Sequence, residues 1–314
     1  MQDFFIGLVQ YILSCVLTPF FLTFELGYEL VELLSFKKKT NPSTVLITGA
    51  TSGIGYALAD KYGSLGATLI LISRSQTKLE ELKKDLEQKG YKVYIHACDV
   101  TKKDQMKTII DQYPEIDLVI ANAGVSQGLA GVENSQHLLE DTYRNIFDIN
   151  VSGVFNTIFP AIENMKKRNQ GQVCIISSIA GLGQNALYPA YSSSKIAVNA
   201  IGQGLRTELS PYNIKVNVVC PGPVSTKLAK DMVLPNFLMI KPTTCANIIY
   251  RGLRNNRIHT TCFTPVYIAA WTLMSLPYDT CRKWLYCVSS YIRKNGFKTG
   301  SVEYAFQEEK PKTL

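Results

Sequence analysis

Short apolar runs recur through the middle of the chain and alternate with stretches whose apolar residues have helical spacing. Helical patterns such as Thr77–Lys89 and Asp141–Asn164 separate the runs. The runs themselves suit strands buried in a parallel sheet: Thr44–Ile47, Thr68–Ile72, Val93–Ala97, Leu118–Ala121, Val173–Ser177 and Lys215–Cys220. The alternation predicts an α/β fold with a doubly wound parallel sheet, occupying residues 41–258.

The N-terminal region has a different pattern. Phe4–Phe24 carries no charged residue and is close to the roughly 20 residues that span a bilayer as a helix. A buried core helix is one alternative. A cleaved signal peptide is another, but Asp3 and the lack of an N-terminal Lys or Arg oppose it. We favour an uncleaved anchor. An amphipathic stretch follows, with glutamates and leucines on different faces, so residues 1–40 are predicted to be anchor and linker.

The C-terminal region, residues 259–314, is predicted to be an extension outside the sheet. Phe263–Leu276 is apolar, but it is too short to span a bilayer and is interrupted by Pro265. Packing on the catalytic domain or a dimer contact is one interpretation, and a second contact with the membrane surface is the other. The pattern leaves both open.

Composition narrows the class of partner. The net charge is +8, yet the basic residues are scattered and form no nucleic-acid module, so we expect no nucleic-acid partner. An anionic membrane surface is more consistent with Lys37–Lys39, directly after the apolar segment. The eight cysteines include no C-x-x-C pair and the chain has three histidines, which favours reduced thiols and no metal centre.

A glycine-rich turn follows the first predicted strand and opens a helix near Tyr56. Its sequence is Thr48-Gly49-Ala50-Thr51-Ser52-Gly53-Ile54-Gly55. Glycines let the backbone turn tightly and approach a pyrophosphate, whose charge then rests on the helix N-terminus. The G-x-x-x-G-x-G spacing differs from the common G-x-G-x-x-G fingerprint.

Three polar residues form a candidate reaction centre. Tyr191 and Lys195 are four positions apart, so on a helix they share one face. The pKa of a free tyrosine is about 10, and a lysine cation nearby is expected to lower it. Ser178 follows a predicted strand and can face the same cleft, where its hydroxyl would hold a substrate oxygen while Tyr191 moves the proton.

Together these motifs resemble the short-chain dehydrogenase/reductase family, and the resemblance covers about Thr44 to Arg257. Further motifs arrive in that family's order: Asp99-Val100; Ala121-Asn122-Ala123-Gly124, with Ala where the family has a first Asn; Ser177-Ser178; Tyr191-x-x-x-Lys195; and Pro221-Gly222-x-Val224-x-Thr226. The anchored arrangement is similar to the hydroxysteroid dehydrogenase and 3-ketosphinganine reductase branches. The resemblance implies a Rossmann-type domain, hydride transfer with a nicotinamide cofactor and a homodimer.

The resemblance also implies a role for individual residues. Catalysis would use Asn150, Ser178, Tyr191 and Lys195, with Asn150 positioning a water in a proton relay and Lys195 also binding the nicotinamide ribose. The cofactor would contact Gly49, Thr51, Ser52, Gly53, Ile54, Gly55, Arg74, Asp99, Val100, Asn122, Ala123, Gly124, Tyr191, Lys195, Pro221, Gly222, Val224 and Thr226.

The residues at the end of the second predicted strand indicate whether the cofactor is NAD(H) or NADP(H). An NAD-preferring enzyme would place Asp or Glu there to bind the ribose 2′-hydroxyl. This chain has Ser73-Arg74-Ser75, and Arg74 can pair with a 2′-phosphate, which favours NADP(H). An arginine that only stacks on adenine would leave the preference open.

One apolar segment bears on the substrate. Leu228–Ile240 is apolar and falls where the family has its variable substrate loop, which favours a lipid, sterol or retinoid-like substrate unless the segment packs on the C-terminal extension. A 3-ketosphinganine or 3-oxoacyl thioester reductase and a non-enzymatic nucleotide-binding membrane scaffold are the alternatives.

Sidedness rests on the charges that flank the apolar span. Lys37–Lys39 favour a cytosolic domain at the endoplasmic reticulum, and the final residues 310–314 resemble a dilysine retrieval signal. The glycosylation acceptor Asn150-Val151-Ser152 includes the expected relay residue, which also disfavours a lumenal domain.

Overall fold

The computed structural model describes residues 41–126, 136–183, 188–226 and 239–262. The predicted anchor Phe4–Phe24, the segment Phe263–Leu276 and nearly all of Leu228–Ile240 lie outside these residues, so those predictions stay predictions. Within the described ranges, no helix is long and apolar enough to cross a bilayer.

The described strands form one parallel sheet with the order β3-β2-β1-β4-β5-β6-β7. The predicted Rossmann-like α/β fold is confirmed, and the six predicted strands are present with small shifts at their ends. The strands are β1 Thr44–Thr48, β2 Thr68–Ser73, β3 Val93–Ala97, β4 Leu118–Ala121, β5 Gly171–Ile176, β6 Ile214–Cys220 and β7 His259–Thr261. The edge strand β7 was not predicted, and it lies just past residue 258, where the sequence places the end of the sheet domain.

Helices cover both faces of the sheet. They are α1 Gly53–Gly63, α2 Gln76–Gln88, α3 Lys103–Asp111, α4 Gln136–Phe147, α5 Gly153–Arg168, α6 Pro189–Leu209 and α7 Pro242–Arg254. The single helix predicted over Asp141–Asn164 is wrong, because a π-helical turn at Asp148–Ser152 divides it into α4 and α5. Such turns are rare and occur often at functional sites.

Two apolar layers stabilise the sheet because its strands are buried on both sides. Val45 and Ile47 of β1 pack in a layer with residues of α1, α2 and α7. Leu46, between them, points to the opposite layer, which contains residues of α3, α5 and α6. Successive side chains of a strand point to opposite faces of the sheet, and in β1 both of these faces are apolar.

The strand order reverses beside β1, since β2 lies on one side of it and β4 on the other. In open α/β sheets, ligands bind at this reversal, outside the carboxyl ends of the strands. Gly49 follows the end of β1, and Asn122 follows the end of β4. The topology therefore brings the glycine-rich turn and the Asn122 loop to the same crevice.

Candidate active site

The glycine-rich turn leaves no room for side chains at two of its positions. Gly49 has φ +65°, and a Cβ atom there would lie 2.9 Å from the Cα of Ala123. A Cβ atom on Gly55 would lie 2.3 Å from the carbonyl oxygen of Gly49. Helix α1 begins at Gly53 with Ser52 as its N-cap, and the Ser52 side chain makes no capping bond. The turn therefore presents backbone and a helix N-terminus to the crevice, which suits a pyrophosphate.

Asn122 holds this turn in place. Its side-chain nitrogen donates to the carbonyl oxygens of Thr48 and Gly49 at 2.9 and 3.2 Å. The backbone nitrogens of Asn122 and Ala123 donate to the Thr48 hydroxyl at 3.1 and 3.2 Å. Both residues were predicted to contact the cofactor, and the structure places them directly beside the turn expected to bind it.

The adenosine end of the crevice is formed after β2 and β3. Arg74 is exposed directly after β2, and the Thr51 hydroxyl lies 3.1 Å from the Ser73 hydroxyl. Burial alone would raise the pKa of Asp99, but hydrogen bonds with Thr101 and the charges of Arg74 and Lys102 hold it below its usual value. Arg74 and Asp99 therefore lie close enough for the Arg74 charge to help lower the pKa of Asp99.

Tyr191 and Ser178 meet where α6 begins. Pro189 opens the helix, a position that suits its fixed φ, and Tyr191 follows in the first turn. Ser178 caps the short 3₁₀ turn Ile179–Gly181, and its hydroxyl accepts from the nitrogen of Ala180 at 3.1 Å. Burial raises the pKa of Tyr191 above its usual value, although a hydrogen bond with Ser178 acts in the opposite direction. The sequence predicts a lowered pKa for Tyr191, but in the described structure desolvation outweighs the lowering interactions and the pKa is raised.

Lys195 is buried one helical turn after Tyr191. Its Nζ lies 5.7 Å from the centre of the Tyr191 ring and donates to the carbonyl oxygen of Ile176 at 3.0 Å. Burial lowers the pKa of Lys195 to about 8, while Cys220 acts in the opposite direction. Lys195 is therefore a cation held in a poorly solvated position, where its charge acts strongly on neighbouring groups.

Asn150 lies in the π-helical turn and is fully buried. Its Oδ1 accepts from the nitrogen of Val125 at 2.9 Å, and its Nδ2 donates to the carbonyl oxygen of Val125 at 3.0 Å. The Nδ2 also donates to the hydroxyl of Ser194 at 3.0 Å. Asn150 therefore joins the loop after β4 to helix α6, beside Lys195.

The Pro221-Gly222 segment completes the crevice. The carbonyl oxygen of Pro221 accepts from the nitrogen of Ile179 at 3.0 Å, which connects the segment to the Ser178 turn. Val224 forms an isolated bridge with Ile240. A Cβ atom on Gly53 would lie 2.9 Å from the Thr226 methyl carbon, so this segment reaches the glycine-rich turn. The structure thus brings together the residues predicted to bind the cofactor and those predicted to be catalytic.

Comparison with known proteins identifies the family. The family model for short chain dehydrogenases matches residues 43–235, more than half of the chain. The chain belongs to the short-chain dehydrogenase family. Its relatives include the 11-beta-hydroxysteroid dehydrogenase-like 2 protein of Arabidopsis thaliana, which is 33% identical over 245 residues. The match covers 75% of this chain and 77% of the relative.

Two further members show the range of the likeness. A 3-dehydrosphinganine reductase of Arabidopsis thaliana is 31% identical over 232 residues, covering 69% of each chain. A crystal structure of a 3-oxoacyl-[acyl-carrier protein] reductase with bound NAD, from Brucella melitensis, is 27% identical with a TM-score of 0.61. That comparison covers 72% of this chain and 89% of the other.

Some supporting residues of this short-chain dehydrogenase were not predicted. The single hydroxyl hydrogen of Ser192 is shared between the carbonyl oxygens of Ala180 and Gly183, which lie 2.7 and 2.9 Å from its Oγ. Asn199 donates to the carbonyl oxygen of Gly181 at 2.7 Å. These bonds fix the Ser178 turn to α6. Their sequence positions could have indicated this role, because both are polar residues on the buried face of a helix and need hydrogen-bonding partners.

The His, Cys, Asp and Glu side chains were also compared with the arrangement that a metal site needs. The described residues contain no group of three or more His, Cys, Asp or Glu side chains that could hold a metal ion. The described cysteines Cys98, Cys174, Cys220, Cys245 and Cys262 are buried free thiols. The chemistry that the site supports is proton transfer at Tyr191 beside a crevice shaped for a dinucleotide.

Proposed function

We propose that this short-chain dehydrogenase is an NADP(H)-dependent oxidoreductase that transfers a hydride between nicotinamide and a carbonyl or alcohol carbon of a hydrophobic substrate. The observation that carries the proposal is that Tyr191, Ser178 and Lys195 lie together beside the loop at Gly124, which also holds the glycine-rich turn where the strand order reverses. A proton donor and a dinucleotide crevice in contact are what carbonyl reduction requires.

Each polar side chain then has a distinct role. Bound nicotinamide supplies or accepts the hydride. Ser178 donates to the substrate oxygen and holds it near the Tyr191 hydroxyl, which gives a proton in reduction and takes one in oxidation. The Lys195 cation stabilises the phenolate that reduction leaves on Tyr191. Asn150 holds the relay that returns a proton to Tyr191.

The preference for NADP(H) rests on Arg74. This exposed guanidinium follows β2, and no carboxylate is present among Ser73, Arg74 and Ser75 to repel a 2′-phosphate. A guanidinium recognises phosphate through paired hydrogen bonds. The pyrophosphate would rest on the backbone of the glycine-rich turn, whose shape excludes a Cβ atom at Gly55. The related Brucella melitensis structure contains NAD, so likeness to known structures does not select NADP(H). The proposed preference therefore rests on Arg74.

A hydrophobic substrate is supported by the apolar segment Leu228–Ile240 and by the names of two relatives, which refer to a hydroxysteroid and to 3-dehydrosphinganine. Reduction of a 3-ketosphinganine is the second candidate, favoured by the 3-dehydrosphinganine reductase, and 3-oxoacyl thioesters are the third. A nucleotide-binding scaffold without turnover is the alternative outside enzymes.

A substrate screen tests the proposal. Purified protein would be mixed with NADPH and, separately, with steroid ketones, retinal, 3-ketosphinganine and a 3-oxoacyl thioester, and NADPH consumption followed by absorbance. We expect consumption with at least one hydrophobic ketone or aldehyde, and none with the Tyr191→Phe control. Tight NADPH binding without consumption across the screen would favour the scaffold.

We further propose that residues 1–40 anchor a homodimer to the endoplasmic reticulum membrane, with residues 41–258 in the cytosol. The uncharged Phe4–Phe24 and the following Lys37–Lys39 support this orientation. Protease digestion of intact microsomes tests it, because a cytosolic domain is digested without detergent. Survival of the domain until detergent is added would contradict it, and cross-linking in the membrane would test the dimer.

A further inference from the structure

Ser194 directly precedes Lys195 on α6, and it is fully buried. Its hydroxyl donates to the carbonyl oxygen of Tyr191 at 2.7 Å and accepts from the Nδ2 of Asn150 at 3.0 Å. A hydroxyl has one hydrogen to donate, and that hydrogen is used on Tyr191. The oxygen is therefore left as the acceptor that faces Asn150.

This acceptor completes the hydrogen bonding of the Asn150 amide. Both hydrogens of Nδ2 are used, one on the carbonyl oxygen of Val125 and one on Ser194. The Oδ1 accepts from the nitrogen of Val125. A flipped amide would set its NH₂ group against the N–H of Val125 and its oxygen against the carbonyl of Val125. The amide thus has one satisfied orientation, with its oxygen on the Val125 nitrogen.

We infer that Ser194 is a positioning residue, which acts through Asn150 and joins the π-helical turn to the helix that carries Tyr191 and Lys195. The inference rests on the proposed function, because Asn150 belongs to the proton relay there. Without the Ser194 hydroxyl, Val125 still sets the orientation of the amide, but a buried hydrogen of Nδ2 loses its partner and the π-helical turn loses this bond to α6. The relay would then lose alignment while the dinucleotide crevice keeps its shape.

The neighbouring Ser193 provides a matched control in the same helical turn. It is exposed, and its single hydroxyl hydrogen is shared within the helix between the carbonyl oxygens of Pro189 and Ala190, 2.8 and 3.1 Å from its Oγ. Ser193→Ala removes the same hydroxyl from the same turn without touching Asn150. Differences between Ser194→Ala and Ser193→Ala therefore report the bond to Asn150.

The test is a double-mutant cycle on kcat, with Ser194→Ala, Asn150→Ala and the double variant. Ser194→Ala should lower kcat about tenfold, the order expected for one lost hydrogen bond, and increase the solvent deuterium isotope effect. The Kd for NADPH should stay within about twofold. In the Asn150→Ala background, Ser194→Ala should cost no further activity, because its effect passes through Asn150. Equal, additive losses in both backgrounds would overturn the inference.

A second measurement keeps this result separate from the proposed function. Amide hydrogen exchange of residues 148–152 does not require turnover, and it should be faster in Ser194→Ala than in Ser193→Ala. If the wild-type protein reduces no carbonyl but exchange rises as expected, the proposed function fails and the positioning role stands. If exchange in this turn is the same in both variants, the positioning role is wrong, whatever the activity.

Discussion

The side-chain nitrogen of Lys195 and the side-chain oxygen of Asn150 approach the same point beside Gly124. A Cβ atom built on Gly124 would lie 3.5 Å from the Nζ of Lys195 and 3.2 Å from the Oδ1 of Asn150. Three elements supply these groups: helix α6, the π-helical turn and the loop after β4. The candidate relay is therefore fixed to the loop that also holds the glycine-rich turn.

The proton donor can be removed without changing the size of the side chain much. Tyr191→Phe should keep the fold and NADPH affinity and lower turnover by roughly 10²–10⁴-fold, the range for a lost acid-base group. Single-turnover kinetics with the best substrate of the screen would measure the loss. Turnover close to that of the wild-type protein would mean that another group moves the proton.

Arg74 should determine the preference between the two cofactors. Arg74→Ala should weaken NADPH binding by tenfold or more, because a hydrogen bond to a charged group contributes about 1.5–3 kcal/mol, and should leave NADH nearly unchanged. Titration of both cofactors by fluorescence would measure this, with Arg254→Ala as the control at an exposed arginine of α7. Equal losses for both cofactors would assign Arg74 to adenine stacking.

Burial of Lys195 should cost stability, and the cost should depend on pH. The folded-state pKa is about 8, below the ordinary 10.5, so below pH 8 both states are protonated and the cost is fully present. Between pH 8 and 10.5 the unfolded chain binds the proton that the folded protein has lost, so stability rises with pH.

Lys195→Met should therefore raise the free energy of unfolding at pH 7 by about 1–3 kcal/mol while abolishing activity. Urea unfolding at pH 7 and pH 10 would show the gain shrinking at the higher pH. The exposed lysine in Lys167→Met is the control and should show no such change. A loss of stability at pH 7 would mean that the bond from Lys195 to Ile176 outweighs desolvation.

Two glycines of α6 should respond oppositely to the same substitution. A Cβ atom on Gly202 would lie 2.3 Å from a methyl carbon of Val218, whereas nothing lies within 4 Å of one on Gly204. Gly202→Ala should lower the free energy of unfolding by roughly 1–3 kcal/mol through overpacking. Gly204→Ala should raise it by about 0.5–1 kcal/mol, because alanine is the better helix former. Thermal unfolding of the pair would show both signs, and a shared sign would be inconsistent with the packing.

The strands could be predicted from the sequence because parallel strands buried on both sides are continuous apolar runs. Strand β7, His259–Thr261, could not, because it is short and polar and its pairing with β6 is visible only in the fold. The π-helical turn at Asp148–Ser152 was also missed, since apolar periodicity does not separate it from an α-helix.

The sequence predicts which residues form the candidate site, but it does not predict the pKa shifts of those residues. Spacing places Tyr191 and Lys195 on one face, but it contains no information on desolvation, which raises the pKa of one and lowers that of the other. The supporting side chains Ser192, Ser194 and Asn199 were missed for a related reason. Their partners are distant in sequence or are backbone groups, and only the folded chain brings them together.

The transfer of the hydride itself gives the most direct test of the proposed function. NADPH carrying deuterium at the transferred position of C4 would be incubated with the protein and its best carbonyl substrate, and the product alcohol examined by mass spectrometry. We expect one deuterium on the carbinol carbon with the wild-type protein and no labelled product above background with Tyr191→Phe. An alcohol without deuterium, or no alcohol from any substrate of the screen, would contradict it.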